Sequence, residues 1–336
     1  MRRIRRLALI AGPLCAAAAV ASGPSPYGHA IFAGADPAAL VEDTTVWLYP
    51  TDGGKALYPW SSADLIHWRR GAALIERNRI GWIADGAPAH ALWAPHMLAA
   101  NGRYYLYYAV GPQEPRPSRI GVATCDTPAG PCRDSGRPLL DGGDSADFAG
   151  RPARGCADAM PPTGSGRYHF EAIDPMAFVD PRDGTGYLYA GGSNGETLRV
   201  FRLAPDMLTI AAEVPVAQPP CFTEGPWMHE RDGVYYLSYS SGHWDRADYS
   251  VRYATAPGPT GPWTYRGVIL RADRRYQGPG HHAFFRDPRT GGWVIAYHRW
   301  EHETGDGPYH DARQVALAPV RYAADGTIEP IDIEAR

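Results

Sequence analysis

Beyond its first six residues the chain has no run of basic residues, and it has no uninterrupted apolar stretch of the roughly 20 residues that span a bilayer and no C-x-x-C pair. Each absence removes a class of function. Nucleic-acid binding leaves a basic patch or stripe, whereas here 33 Lys and Arg are set against 36 Asp and Glu. Without C-x-x-C, a structural zinc site lacks its usual ligand pattern. Amphipathic helical periodicity of useful length is missing as well, which argues against α/β folds. Neither a WD nor a kelch signature occurs.

At the N-terminus, Arg2, Arg3, Arg5 and Arg6 precede the 15-residue apolar run Leu7 to Ala21. The run contains Gly12-Pro13 and ends Ala19-Val20-Ala21, an A-x-A-like cleavage site. Residues 1–21 read as a secretory signal peptide, so the protein is expected to be secreted or periplasmic, with no membrane association after cleavage. Losing four Arg and no acid takes the net charge from −3 to −7. Four cysteines remain, an even number in an exported chain, and disulfides are expected. Cys125 and Cys132 bracket a Pro-Gly-containing turn and form the natural pair; Cys156 with Cys221 follows by elimination.

Ten Trp, 20 Tyr, 38 Gly and 32 Pro favour many strands and tight turns. Five short alternating strands stand out: Val46–Tyr49, Tyr104–Tyr108, Tyr187–Tyr189, Tyr235–Tyr239 and Trp293–Tyr297. The last four each follow a turn dipeptide, Asn101-Gly102, Asp183-Gly184, Asp232-Gly233 and Gly291-Gly292. Taking Leu48, Leu106, Leu188, Leu237 and Ile295 as markers, the spacings are 58, 82, 49 and 58, the long one containing a Gly-, Ser- and Pro-rich insertion over 141–166. A second element recurs behind the strands, as in Ala256-Pro-Gly-Pro-Thr-Gly-Pro-Trp263 leading to Gly267-Val-Ile-Leu270. Units of this length and strand content predict an all-β, five-bladed β-propeller over residues 22–336, with blades near 34–90, 91–150, 167–222, 223–277 and 278–330. Tyr322–Pro330 is the expected closing element of the last blade.

Counting back from the markers, Asp36 lies 12 residues before Leu48, Trp93 13 before Leu106, Asp174 14 before Leu188, Glu224 13 before Leu237 and His281 14 before Ile295. The innermost strand of a propeller blade lines the axis, so a near-constant offset gathers these five side chains at one end of it. Three carboxylates in one concave site repel one another and resist desolvation, so such clusters hold metals or perform acid–base chemistry. Glycoside hydrolysis needs such a pairing, one carboxylic acid to protonate the leaving oxygen and one carboxylate to activate water or attack the sugar. Asp-Pro is also a common turn dipeptide, and Asp180-Pro181 and Asp287-Pro288 are read as turns only. Glu230, Glu171 and Asp158 fit no repeat position and are read as solvated.

Ala35-Asp36-Pro37, Trp93-Ala-Pro95, Ala172-Ile-Asp174-Pro175, Thr223-Glu224-Gly-Pro226-Trp227 and Gly278-Pro-Gly-His281-His282, in that order, resemble glycoside hydrolase family 43 over almost the whole mature chain. The resemblance implies an inverting glycosidase acting on arabinofuranosyl or xylosyl linkages of plant polysaccharides or their fragments. It implies Asp36 as general base, Glu224 as general acid and Asp174 as the group that orients the acid and keeps it protonated. It further implies Arg313 and Trp93 as sugar contacts. His281 is a candidate substrate contact and a candidate holder of a calcium ion or ordered water in the channel; no cofactor is otherwise expected. Where the family often has Asp after Trp-Ala-Pro, this chain has His96, which is expected to alter the pocket rim. The 141–166 insertion and the loops around Trp82 and Trp244 are expected to shape the cleft. Two other readings compete, a propeller glycosidase for another sugar such as galactose, and a non-catalytic sugar-binding propeller.

Overall fold

The five repeats become five antiparallel sheets in a computed structural model that describes residues 25–83, 90–113, 118–143, 170–193 and 197–334. Blade I runs Ala35–Glu42, Thr45–Thr51, Trp60–Ser62 and Arg69–Arg70 from the axis outward. Blade II begins with Ala91–Ala100 and Arg103–Gly111, blade III with Met176–Val179 and Gly186–Ala190, and blade IV with Glu224–Arg231 and Val234–Ser241. Blade V begins with Tyr276–Arg286 and Trp293–Glu301. All five markers lie on the second strand of their blade, and their exposures are zero because both faces of that strand are covered. Residues 144–166 of the insertion, Cys156, Asp158 and the segment 1–21 expected as a signal peptide lie outside the described residues. No helix among the described residues is long and apolar enough to cross a membrane.

The turns behave as their sequences require. Asn101-Gly102 and Asp232-Gly233 have positive φ at both residues, the geometry that joins twisted strands through two residues. Asp180-Pro181 and Asp287-Pro288 open longer turns, closed by Asp180 N–H to Thr185 O and Asp287 N–H to Gly292 O. The Cys125–Cys132 disulfide is formed across a strand pair of blade II.

Ring closure differs from the expected one. The outermost strand of blade V is Ala30–Ala33, paired antiparallel with Gln314–Val320, so the two ends of the chain share one sheet. The 322–330 segment cannot serve as that strand. It folds back on itself through Ala323 N–H to Thr327 O, leaving a single bridge between Tyr322 and Ile328. Phe32 carries the closure across to blade I, its ring stacked on Trp60 at 4.1 Å between centroids. Phe32→Ala is therefore expected to cost about 3 kcal/mol, read as a lower denaturation midpoint in urea.

The abundant tyrosines are inter-blade ties. Tyr49, Tyr107 and Tyr189 each follow their blade's marker, and each donates its hydroxyl to a carbonyl in the outer turn of the next blade. The acceptors are Pro128 at 3.1 Å, Met207 at 2.8 Å and Pro259 at 2.6 Å. The ring fills the space between sheets, and its buried hydroxyl escapes the cost of an unmade hydrogen bond.

Candidate active site

Every innermost strand is interrupted at the same place. Asp36, Ala94, Asp174, Gly225 and His281 have φ of 50, 41, 53, 59 and 38°, left-handed values that are costly for residues with a Cβ. Each stands three residues before the partner of its marker: Ala39, Met97, Ala177, Met228 and Phe284. In four of the blades a register shift marks the spot as a bulge. Because Ala94 shares the conformation, the bulge belongs to the fold and not to catalysis. The uneven offsets are explained too. Measured to these five residues they are 12 where the hairpin turn is short, and 14 in blades III and V, where it is longer.

The structurally equivalent set therefore contains Ala94 and Gly225, with Trp93 and Glu224 one residue earlier. That corrects the expected single ring of five. Trp93 packs its indole over Gly111, where a Cβ would lie 2.0 Å from the ring. Glu224 reaches the site from the preceding position, and Gly225 leaves room beside it. A Cβ at Gly225 would come within 3.2 Å of the His281 ring.

Asp36 sits among donors. Its Oδ2 accepts from Thr51 Oγ1 at 2.7 Å, its Oδ1 from Arg313 Nη1 at 3.0 Å, and His281 Nδ1 lies 3.3 Å from Oδ1. Its backbone N–H donates to His298 Nδ1 at 3.1 Å. That contact makes Nδ1 an acceptor, so the 3.3 Å approach of the same nitrogen to Oδ1 is not an ion pair. Burial pushes the Asp36 carboxyl up, but Arg313 and then His281 outweigh it and hold it well below the usual carboxylate range. Burial, with Arg313 nearby, pushes His298 down to about 3, so its imidazole is neutral.

Asp174 has the opposite environment. Its Oδ2 accepts Gly225 N–H at 2.9 Å, and His281 Nδ1 lies 3.6 Å away. Burial first, then the charges of Glu224 and Asp36, push Asp174 up to about 7 despite His281. Near neutrality a proton is held at this carboxylate, beside Glu224. Glu224 accepts from Tyr249 Oη at 2.7 Å on Oε1 and from Ser193 Oγ at 3.2 Å on Oε2. A line thus runs from Asp36 through His281 to Asp174, with Glu224 alongside, the ionised carboxylate at one end and the proton-holding Asp174 at the other.

Asp174 also carries a stability signature. Its carboxyl ionises near 3.8 when unfolded and near 7 when folded, so the native state is penalised increasingly as pH rises between those values, and constantly above them. Asp174→Asn is expected to raise stability at pH 8 by roughly 2–4 kcal/mol and by much less at pH 5. Urea denaturation at the two pH values reads the difference.

Thr51, Ser240 and His298 are site residues that motif reading missed. Each lies three residues after its marker, at the inner end of the second strand, opposite Ala35, Glu224 and Gly280 respectively. A polar residue three places beyond an apolar marker was the available signal. Two expectations also need correction. Glu171 is fully buried and accepts from the N–H and Oγ of Ser118. His96 is not at the rim. It is buried in the axial channel against Trp227, ring centroids 5.3 Å apart, and burial pushes it down to about 4.

Beside Asp36 opens a cleft of about 390 Å³ lined by Thr51, Trp244, Trp300, Tyr309 and Arg313. Arg313 lies 4.8 Å from the Trp244 ring, so one side chain faces both the carboxylate and the cleft. Trp82 instead donates to Asp134 in blade II.

A protein-family model, "Glycosyl hydrolases family 43", matches residues 30–148 and 160–328. The chain belongs to glycosyl hydrolase family 43. As a family 43 member it is a glycosidase, which sets aside the non-catalytic propeller. It is 29% identical to a beta-D-galactofuranosidase of Aspergillus niger over 91% of this chain and 85% of that protein. It is 29% identical to an arabinoxylan arabinofuranohydrolase of Bacillus subtilis over 79% of this chain, which spans about half (55%) of that protein. Among solved structures, a calcium-free family 43 beta-xylosidase/alpha-arabinofuranosidase from a compost metagenome, in complex with xylotriose, superposes with a TM-score of 0.68 at 25% identity. That match covers 93% of this chain and 97% of the other.

Asp174, Glu224 and His281 offer ligand atoms within 4.8 Å of one another. The set does not fit calcium, which takes six to eight oxygens. Asp174 Oδ2 and both Glu224 oxygens already accept from Gly225, Tyr249 and Ser193, and the third donor is a nitrogen.

Proposed function

We propose that this family 43 glycosidase is an exported, inverting enzyme that removes arabinofuranosyl or xylosyl residues from plant polysaccharides or their oligosaccharides. The observation that carries the mechanism is the division of labour among the carboxylates. Asp36 is held ionised by Arg313 and His281, as a base that accepts a proton from water requires. Asp174 holds a proton near neutrality directly beside Glu224, as a site that protonates a leaving oxygen requires. Glu224 is the donor, and Asp174 orients it by holding the Gly225 N–H next to it in the chain. Water held at Asp36 attacks the anomeric carbon while Glu224 protonates the departing oxygen, in one displacement. Arg313 orients the sugar from the cleft side. The leader over residues 1–21 supports export.

The substrate assignment draws on relatives that act on arabinoxylan and on a structural neighbour that binds xylotriose. A second reading has an observation of its own. The relative matched over 91% of this chain is a galactofuranosidase, so a galactofuranosyl substrate is also tested. The test is hydrolysis of 4-nitrophenyl α-L-arabinofuranoside, β-D-xyloside and β-D-galactofuranoside, with the first-formed anomer followed by NMR. Net retention removes the water-activating role from Asp36. Preference for the galactofuranoside replaces the pentosyl assignment.

A further inference from the structure

We infer that Ser240 and Tyr249 fix which oxygen of Glu224 carries the acid proton, and that this oxygen is Oε2. The inference rests on Glu224 being the acid. It follows from the direction of one hydrogen-bond chain. The backbone N–H of His281 donates to Ser240 Oγ at 2.8 Å, and an amide nitrogen can only donate. The single hydroxyl hydrogen of Ser240 is therefore free to point toward Tyr249, which the Ser240 side chain neighbours. Tyr249 in turn has one hydrogen, which it gives to Glu224 Oε1 at 2.7 Å. An ionised Glu224 can only accept, so this direction holds after proton transfer, and keeping it before transfer requires that Oε1 carry no proton. Oε1 is thus an acceptor throughout, and the transferable proton resides on Oε2, facing Ser193 Oγ at 3.2 Å. A hydroxyl can accept from protonated Oε2 or donate to it once ionised, so Ser193 suits both states.

In the reaction the Oε2 proton passes to the glycosidic oxygen, the bond from that oxygen to the anomeric carbon breaks, and its electron pair stays with the leaving group. Glu224 becomes a carboxylate while Tyr249 continues to donate to Oε1. A hydrogen bond to an ionised acceptor is stronger than one to a neutral carboxyl. The chain therefore favours the state after transfer over the state before it, which speeds a step that depends on proton donation.

The phenol is held for this task. Tyr249 is completely buried, and its ring stacks on His298 at 5.7 Å with 6° between planes. On the other side Gly280 has no side chain, and a Cβ there would lie 2.1 Å from the ring. The preceding loop is latched to blade V by Trp300 Nε1 to Trp244 O and by Tyr309 N to Asp245 O, each at 2.9 Å. Tyr249 and Ser240 are positioning residues, acting through Glu224.

Tyr249→Phe keeps the ring and its stacking while removing the donor. On a sugar leaving group, kcat is expected to fall about 10- to 100-fold, with KM within about threefold. On the 2,4-dinitrophenyl glycoside of the same sugar, which departs without a proton, kcat is expected to stay within about threefold. In a Glu224→Gln background the substitution should add no further loss. Ser240→Ala, which cuts the chain one link earlier, should show the same leaving-group pattern at a loss of about three- to tenfold, and serves if Tyr249→Phe does not fold. Equal losses on both leaving groups, a loss that multiplies with Glu224→Gln, or no loss would overturn the inference. If Glu224→Gln alone shows no leaving-group dependence, the acid assignment falls and this inference with it. If Glu224→Gln shows it and Tyr249→Phe does not, only this inference falls.

Discussion

Glu224→Gln is expected to lose about 10³-fold or more in kcat on a natural glycosidic linkage and less than about tenfold on the matching 2,4-dinitrophenyl glycoside. The substitution keeps the shape that Tyr249 and Ser193 hold in place but removes the proton the leaving oxygen takes. A sugar alkoxide is a poor leaving group and needs that proton; dinitrophenolate does not. The comparison therefore separates loss of acid catalysis from loss of fold, which would lower both rates together. Equal loss on the two substrates would sink the assignment of Glu224 as acid.

Asp36→Asn is expected to lose about 10³-fold or more on both leaving groups, because water activation is needed whichever group departs. It also removes the anion that Arg313, Thr51 and His281 surround, with a stability consequence of definite sign. The Asp36 carboxyl is held below its unfolded value, so its contribution is fully present above about pH 4 and is lost as pH falls toward its folded value. Wild type should therefore be more stable than Asp36→Asn at pH 7 by roughly 2–3 kcal/mol, less than for a fully buried pair because Arg313 keeps some solvent contact. The gap should close on acidification below pH 4. Urea midpoints at pH 7 and pH 3 read it, and a gap that widens at pH 3 would contradict the charge environment described for Asp36.

The two carboxylates that carry opposite protonation occupy the same backbone slot in blades I and III. Asp36 and Asp174 share left-handed φ, a following proline and the same register to their markers. Their difference comes from neighbours contributed by other blades. Asp36 meets Arg313 from blade V, whereas Asp174 meets Glu224 from blade IV. His281 lies between them at 3.3 and 3.6 Å and couples the two. A single propeller position thus holds an ionised or a protonated carboxyl according to which side chains face it across the axis.

Counting residues back from the markers found the right neighbourhood but blurred it by one residue in two blades. Offset measures chain length, and hairpin turns of different length change it without moving the strand. The bulge conformation is the truer index, and its signature was present as the dipeptides Asp36-Pro37, Ala94-Pro95, Asp174-Pro175 and Gly225-Pro226. Closure by Ala30–Ala33 was not legible, because four residues of an outer strand have no periodicity long enough to register. The solvated readings of Glu171 and the rim reading of His96 failed for a related reason. Burial of a polar side chain depends on partners such as Ser118 and Trp227 that are remote in the chain.

The sequence by itself determined the architecture: five units of alternating aromatic strands, the turns that join them, the Cys125–Cys132 bridge and the carboxylates at the inner strand ends. These are local matters of period, turn chemistry and spacing, which a chain states residue by residue. Only the tertiary structure decided that Asp36 is ionised, that a proton stays beside Glu224, that Tyr249 donates to its Oε1 and that His281 N–H donates to Ser240. Charge state and hydrogen-bond direction depend on distances of a few ångströms between side chains from different blades. Those distances exist only once the ring has closed.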